Sequence, residues 1–128
     1  PFLTEEILKS SFETVKEFHA CVAAVPSKDT VKIVDENIFA IQTPDRKSVW
    51  NVQTPQVFDS LLIREAYERL YERLPKLREQ GIMVTDDASV VEMFTNVKVK
   101  MVESSYRNIK ITTPEDLLVA EAFLASKA

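Results

Sequence analysis

Two basic residues, Arg46 and Lys110, are the side chains of this 128-residue sequence best suited to binding an anion. Arg46 follows Pro44 and Asp45 in a polar stretch, and its planar guanidinium group can donate two parallel hydrogen bonds to one phosphate. Lys110 offers a compact positive charge on a different segment. Together they could hold a dianionic phosphate from two sides and orient it as a nucleophile. The alternatives are that Arg46 forms a surface pair with Asp45 or Glu36, worth less than about 1 kcal/mol, and that Lys110 is a solvated lysine on an edge strand.

Three threonines could add short hydroxyl donors around such an anion. Thr30, Thr54 and Thr85 each lie where an apolar segment ends or a helix begins, and hydroxyl groups suit phosphate or sugar oxygens. A role in a turn or as a helix cap is the alternative for each of them. The adjacent Asp86 and Asp87 also have two interpretations, a magnesium site or the capping of a helix.

The elements that must position these side chains follow from the spacing of apolar residues. Helices are predicted after Thr4, after Asp59 with Leu62, Ala66, Leu70 and Leu74 on one face, from Thr85, Asp86 and Asp87 through Phe94, and after Thr113 with Pro114 in its first position. Strands are predicted at Cys21 to Val25, Ile82 to Val84, Val97 to Met101 and Ile109 to Ile111. Helices that alternate with strands indicate an α/β fold with a mostly parallel sheet.

A β-hairpin interrupts this alternation. Val31 and Ile33 precede the turn signal Asp35, Glu36, Asn37, and Phe39 and Ile41 follow it. Because so short a hairpin is marginal when isolated, we expect it to pack on something, most simply on a second copy of the chain.

Composition excludes several classes of function. A net charge of -4 provides no basic field for nucleic acid, and no apolar run approaches the length of a membrane span. The single glycine, Gly81, rules out glycine-rich phosphate loops within this chain. The lone His19 gives no support for a histidine metal site or a catalytic triad, and Cys21 is expected to be a buried structural thiol. We expect a soluble, intracellular protein.

Five motifs in this chain resemble, in order, the second half of one enzyme family. They are Val25-Pro26-Ser27-Lys28-Asp29-Thr30-Val31-Lys32, Thr43-Pro44-Asp45-Arg46, Trp50-Asn51-Val52-Gln53-Thr54-Pro55-Gln56-Val57-Phe58, Val84-Thr85-Asp86-Asp87-Ala88-Ser89 and Asn108-Ile109-Lys110-Ile111-Thr112-Thr113-Pro114-Glu115-Asp116-Leu117. The family is 2-C-methyl-D-erythritol 4-phosphate cytidylyltransferase, of the non-mevalonate isoprenoid pathway. The similarity runs from Pro1 essentially to the end of the chain.

The resemblance implies a Rossmann-like nucleotidyltransferase sheet, with residues 1–128 as the C-terminal part of a single domain and a protruding hairpin arm at about 28–50. It implies transfer of a cytidylyl group from CTP to methylerythritol phosphate with release of pyrophosphate. It also implies that a magnesium ion is bound together with CTP. Arg46 and Lys110 would position the substrate phosphate, and Thr30, Thr54 and Thr85 would line the substrate pocket. The arm would clasp a second subunit in a homodimer, so Thr30 and Arg46 would serve the neighbour's site. The location would be the bacterial cytoplasm, or the plastid in a plant or alga.

The chain also departs from the family. The family's glycine-rich CTP loop and its basic transition-state residues precede the point that matches Pro1, so we expect the chain to be truncated on its N-terminal side. Arg107 stands where the family often has an acidic residue, Ser104-Ser105 replaces a glycine-containing turn, and the stretch from Asp59 to Gly81 is longer than usual. Ribitol-5-phosphate cytidylyltransferase and a non-catalytic dimerisation module are the alternative functions.

Overall fold

A computed structural model describes residues 1–126. Its helices are α1 (Glu5–Phe18), α2 (Ser60–Glu79), α3 (Asp87–Phe94) and α4 (Pro114–Ala125), with a short 3-10 turn at Arg46–Ser48. Its strands are β1 (Ala20–Pro26), β2 (Ile33–Val34), β3 (Ala40–Gln42), β4 (Trp50–Phe58) and β5 (Lys100–Glu103). None of the helices in this part of the chain is long and apolar enough to cross a bilayer.

The three-stranded sheet has the order β4-β1-β5, and the predicted α/β class with a parallel sheet core is confirmed. Ala20 to Val25 are all buried, as expected for a strand covered on both faces. The pairing of β1 with β4 is antiparallel, because Ser27 N donates to Val49 O at one end and Asp59 N donates to His19 O at the other. The sheet is therefore mixed.

The described chain divides into two compact units. The first comprises residues 1–3, 24–53 and those from 103 onwards, and the second comprises residues 4–23 and 54–102. The three strands of the main sheet each contribute residues to both units. The prediction that residues 1–128 form part of a single domain stays a prediction.

In the second unit, α2 and α3 surround a small apolar core. The predicted face of α2 is confirmed, since Ala66 and Leu70 are buried and Leu62 and Leu74 pack against them. Each buried leucine of this kind contributes about 1.5–3 kcal/mol. The helix passes through Pro75 and ends before Gly81, whose φ of 68° is a left-handed conformation that glycine adopts without steric cost.

Three predicted helix starts are confirmed. Thr4 accepts a hydrogen bond from Ile7 N at the start of α1, Asp86 accepts one from Ser89 N at the start of α3, and Thr113 is the N-cap of α4. Asp59 precedes α2 but does not cap it with its side chain. Its carboxylate instead lies 2.6 Å from Nδ1 of His19, the left-handed residue that ends α1.

The hairpin is confirmed. β2 and β3 pair antiparallel, with Ile33 opposite Gln42 and Val34 opposite Ala40. Asp35 Oδ1 accepts hydrogen bonds from the backbone N of Asn37 and of Phe39, so one carboxylate holds the turn. Five apolar side chains of the hairpin are exposed within this chain: Ile33, Val34, Ile38, Phe39 and Ile41.

Two predicted strands are wrong. Residues 82–84 are irregular, because the chain leaves α2 through a bond from Ile82 N to Leu77 O and Met83 is 84% exposed, without an apolar partner. Residues 109–111 are also outside any strand. Their neighbours satisfy backbone donors locally, with Asn108 N bonded to Ser105 O and Ile109 N bonded to Arg107 O. The strand predicted at 97–101 forms later, at Lys100–Glu103.

Cys21 is a buried thiol, as predicted. Its side chain is 0% exposed, and Sγ donates to Ser11 O at 3.3 Å. Burial raises the pKa of the Cys21 thiol, which keeps it in the unreactive protonated form.

Candidate active site

Arg46 begins the 3-10 turn of the first unit. Asp45 Oδ1 caps this turn by accepting a hydrogen bond from Lys47 N at 3.0 Å. The exposed Arg46 side chain donates from Nη1 to Lys28 O at 3.0 Å, two residues before Thr30. Within residues 1–126, Arg46 forms no ion pair with Asp45 or Glu36, so its guanidinium group keeps donors available for an anion.

Lys28, whose backbone oxygen accepts a hydrogen bond from Arg46, also contacts the ring of Tyr106. The ammonium nitrogen of Lys28 lies 3.9 Å from the centroid of the Tyr106 ring, a cation–π contact. Tyr106 Oη donates to Pro26 O at 2.7 Å. The residues from Pro26 to Lys28 thus contact both Arg46 and Tyr106.

Lys110 lies in the loop that joins β5 to α4. It is exposed, and its ammonium group makes no hydrogen bond or ion pair within the described part of the chain. After Lys110, the backbone N of Thr112 and of Thr113 each donate to Asp116 Oδ2 at 2.9 Å. These bonds, the one from Thr112 foremost, hold the pKa of the Asp116 carboxyl below its usual value.

Before Lys110, the same loop is held by two amide side chains that were not predicted as site residues. Asn108 Nδ2 donates to Gln53 Oε1 at 3.1 Å, and Gln53 Nε2 donates to Ser105 O at 3.0 Å. Asn108 is 8% exposed. Asn108 and Gln53 stand within the family-like motifs, but sequence alone does not show that two amides 55 positions apart meet.

In the second unit, Thr54 and Thr85 are both exposed. Gln56, which lies two residues after Thr54 on β4, donates from Nε2 to Asp86 Oδ2 at 3.1 Å. Its Oε1 accepts from Ala88 N at 3.1 Å. This pair of bonds brings the strand of Thr54 together with the turn that carries Thr85.

The two aspartates after Thr85 are occupied by structural contacts. Asp86 caps α3 and accepts from Gln56, and Asp87 accepts from the hydroxyl of Tyr67. No group of three or more potential metal-binding side chains of His, Cys, Asp or Glu forms among residues 1–126. Asp86 is the N-cap of α3, and Asp87 lies in the first turn of that helix, as the capping interpretation predicts.

A cleft of about 430 Å³ lies elsewhere in the second unit, between α2 and the end of α3. None of the predicted site residues lines it. Arg69 lines this cleft. Its guanidinium group donates to Phe94 O at the end of α3 and to Glu65 on α2. The cleft has no evident relation to the predicted chemistry.

The first unit carries both of the cations that were predicted as site residues. Arg46 presents a guanidinium group anchored to its own backbone neighbours, and Lys110 presents an ammonium group without a counter-ion in the described residues. The fold defines the class of this chain, an α/β protein with a mixed sheet, and anion binding by Arg46 and Lys110 stays a prediction.

Comparison with known proteins identifies the family. The family model of IspD, 2-C-methyl-D-erythritol 4-phosphate cytidylyltransferase, matches residues 1–126. The chain belongs to the 2-C-methyl-D-erythritol 4-phosphate cytidylyltransferase family. It is 51% identical over 126 residues to the family member from Lachnospira eligens, covering 97% of this chain and 52% of that protein.

Two solved structures of proteins from this family are similar to this chain in fold. The 4-diphosphocytidyl-2C-methyl-D-erythritol synthase of Anaerococcus prevotii is 40% identical with a TM-score of 0.85, and the match covers 98% of this chain and 54% of that one. The cytidylyltransferase of Thermus thermophilus is 30% identical with a TM-score of 0.75, over 98% and 57% of the two chains. The chain thus spans about half the length of the relatives it matches.

Proposed function

We propose that the intact protein carrying this chain transfers a cytidylyl group from CTP to 2-C-methyl-D-erythritol 4-phosphate and releases pyrophosphate. The observation that carries the proposal is the family match over residues 1–126, together with the 51% identity to a relative of that name. The exposed Arg46 and Lys110 supply charges of the sign that the sugar phosphate requires.

In the proposed reaction, an oxygen of the sugar phosphate attacks the α-phosphorus of CTP. A new P–O bond forms, the bond between the α- and β-phosphates breaks, and pyrophosphate leaves with the electron pair. Two anionic groups repel one another, so the reaction depends on charge neutralisation and positioning. Arg46 would grip the sugar phosphate through its planar fork, and Lys110 would neutralise it from a second segment.

Magnesium is proposed to enter with CTP. We assign the ion to the triphosphate, because Mg²⁺ in nucleotide sites is typically bound through substrate phosphates with one or two carboxylates. When bound, the ion neutralises charge on the leaving pyrophosphate. The role of this chain is then to hold the sugar phosphate. Thr30, Thr54 and Thr85, all exposed, are proposed as hydroxyl groups that contact the substrate.

The hairpin is proposed as the contact of a homodimer. Ile38, Phe39 and Ile41 are 80%, 70% and 65% exposed within this chain, a concentration of apolar surface that a second copy could cover. The bulged hairpin, with its turn held by Asp35, gives this surface a defined shape before association. A preformed surface loses less conformational entropy on binding.

The reaction is tested in the intact protein with CTP, magnesium and methylerythritol phosphate, measuring pyrophosphate release. We expect Arg46→Ala and Lys110→Ala each to lower kcat/KM for methylerythritol phosphate by roughly 100- to 1000-fold, because each removes charge stabilisation of the transition state. The KM for CTP should change little.

Lys47→Ala is the matched control, since Lys47 is the exposed neighbour of Arg46 and its side chain makes no hydrogen bond or ion pair within residues 1–126. Its activity should stay near that of the wild type. Unaltered turnover in both the Arg46 and Lys110 variants would refute the proposed roles. Faster turnover of ribitol 5-phosphate than of methylerythritol phosphate would refute the substrate.

A further inference from the structure

The loop that carries Lys110 lacks the support of a strand. Residues 105–113 lie outside any strand, and the ammonium group of Lys110 makes no hydrogen bond or ion pair in the described part of the chain. A flexible lysine binds an anion weakly, since its ordering costs conformational entropy. Contacts on either side of Lys110 can reduce this cost by fixing its backbone, which limits the region that its ammonium group can reach.

On the C-terminal side, Asp116 provides one anchor. It accepts from the backbone N of Thr112 and of Thr113, and Thr112 Oγ1 adds a third bond at 3.2 Å. This fixes the chain two residues after Lys110 to the first turn of α4.

On the N-terminal side, Asn108 provides the other anchor. Its Nδ2 lies 3.1 Å from Gln53 Oε1 and 3.4 Å from Ser104 Oγ, and Gln53 returns a bond to Ser105 O. Asn108 is buried, so breaking these bonds would leave polar groups without water. Gln53 lies on β4, which makes the anchor a connection between the loop and the sheet.

Lys110 is thus held between two fixed points, each two residues away. Two residues span about 7 Å at most, so the backbone of Lys110 has little freedom once Asn108 and Thr112 are fixed. We propose that Asn108, held by Gln53, is a positioning residue that sets where Lys110 presents its ammonium group to the sugar phosphate; this inference rests on the proposed function.

A double-mutant cycle in the intact protein tests the proposal. We expect Asn108→Ala to lower kcat/KM for methylerythritol phosphate by roughly 10- to 100-fold with little change in the KM for CTP, because a small displacement of a catalytic charge is costly. In a Lys110→Ala background the same substitution should have an effect of less than about 3-fold, since the group it positions is gone. Gln53→Ala should behave like Asn108→Ala, and the two should not add.

Ser11→Ala is the matched control, because Ser11 is a buried hydrogen-bonding residue remote in sequence from the loop, with its Oγ bonded to Ile7 O at 2.8 Å. Any loss of activity that it causes should be the same in the wild-type and Lys110→Ala backgrounds. An equal fold-loss from Asn108→Ala in both backgrounds, or full activity of Asn108→Ala, would overturn the proposal.

Hydrogen exchange provides a readout independent of turnover. The amides of Asn108 and Ile109, which donate to Ser105 O and Arg107 O, should exchange faster in Asn108→Ala than in the wild type and stay unchanged in Ser11→Ala. Unchanged exchange in Asn108→Ala would overturn the positioning role even if activity fell. A wild-type protein that does not transfer the cytidylyl group would instead refute the proposed function, and the exchange result would still decide whether Asn108 fixes the loop.

Discussion

Tyr67 shows how one contact between helices changes the chemistry of a side chain. Its hydroxyl, on α2, donates to Asp87 Oδ1 at the start of α3. That hydrogen bond, followed by burial and the nearby negative charges, raises the pKa of Tyr67 to about 12. The neutral phenol is favoured in the folded state. The contact therefore stabilises the fold at pH values below about 10, the pKa of tyrosine in the unfolded chain. The stabilisation is lost as the pH rises through the folded pKa.

This contact predicts an alkaline titration. We expect the tyrosinate absorbance of the folded protein to contain a component that appears near pH 12. The component should be absent from Tyr67→Phe and present in Tyr71→Phe, the control one turn further along α2. Circular dichroism at each pH would confirm that the protein remains folded. Persistence of the component in Tyr67→Phe would contradict the assignment.

At the residue level, the sequence predicts features that depend on a single side chain or on close neighbours in the chain. It does not predict contacts between residues that are far apart in the chain. Arg46 and Lys110 were predicted from their side-chain chemistry, and the structure shows both exposed. The site roles of these two residues stay predictions. Gln53 and Asn108 were missed because their pairing depends on the tertiary fold, and an isolated amide in a sequence carries no sign of its partner.

At the level of elements, helix starts were predicted well because a cap and its partner lie three or four residues apart. The local signals at Thr4, Asp86 and Thr113 survive in the fold. The strands predicted at 82–84 and 109–111 failed because alternation of apolar residues shows only that a strand is possible. A strand also requires a neighbouring strand, and turns or side chains took the backbone donors there.

The Asp116 carboxylate at the start of α4 is expected to make the thermal stability of the fold depend on pH in the acid range. Because the folded pKa of Asp116 is lowered, its contribution is present above the unfolded pKa of about 3.9 and is lost as the pH falls through the folded pKa. Asp116→Asn keeps one acceptor oxygen but removes the charge. We expect a lower Tm near neutral pH and a smaller loss of Tm on acidification than in the wild type.

Thermal melts followed by circular dichroism between about pH 2 and 7 would measure this effect. Glu115→Gln is the control, since Glu115 lies in the same helical turn but does not accept bonds from the Thr112 and Thr113 backbone. Equal changes in the two variants would show that the helix dipole, and not the cap, is responsible.

At the scale of the whole molecule, the family could be predicted from sequence because five ordered motifs extend over most of the chain. The mixed direction of the sheet could not, since strand pairing is set by contacts between distant segments. The division into two compact units was also not visible in the hydrophobic pattern. Assembly likewise depends on surfaces that sequence spacing shows only in part.

The exposed hairpin predicts the oligomeric state. The proposed symmetric dimer would bury Phe39 of each subunit, and burying a phenylalanine contributes about 1.5–3 kcal/mol per subunit. We therefore expect Phe39→Asp to raise the dimer dissociation constant by at least about 100-fold. Size-exclusion chromatography with light scattering of the intact protein would show a dimer for the wild type and a monomer for the variant.

Leu61→Asp is the control for this experiment. Leu61 is 77% exposed on α2, comparable to the 70% of Phe39, but lies outside the hairpin. It should remain dimeric. A monomeric wild type, or a dimer that survives Phe39→Asp, would contradict the role proposed for the arm.

The burial of Cys21 also has a practical consequence for labelling. Maleimide dyes find no accessible thiol on the folded surface of residues 1–126, because the one cysteine there is enclosed. Glu36→Cys, at the exposed tip of the hairpin, would therefore carry a fluorophore at a single place in this region without prior removal of the native cysteine. Energy transfer between dyes on two copies would then report directly on how close the arms come to one another in solution.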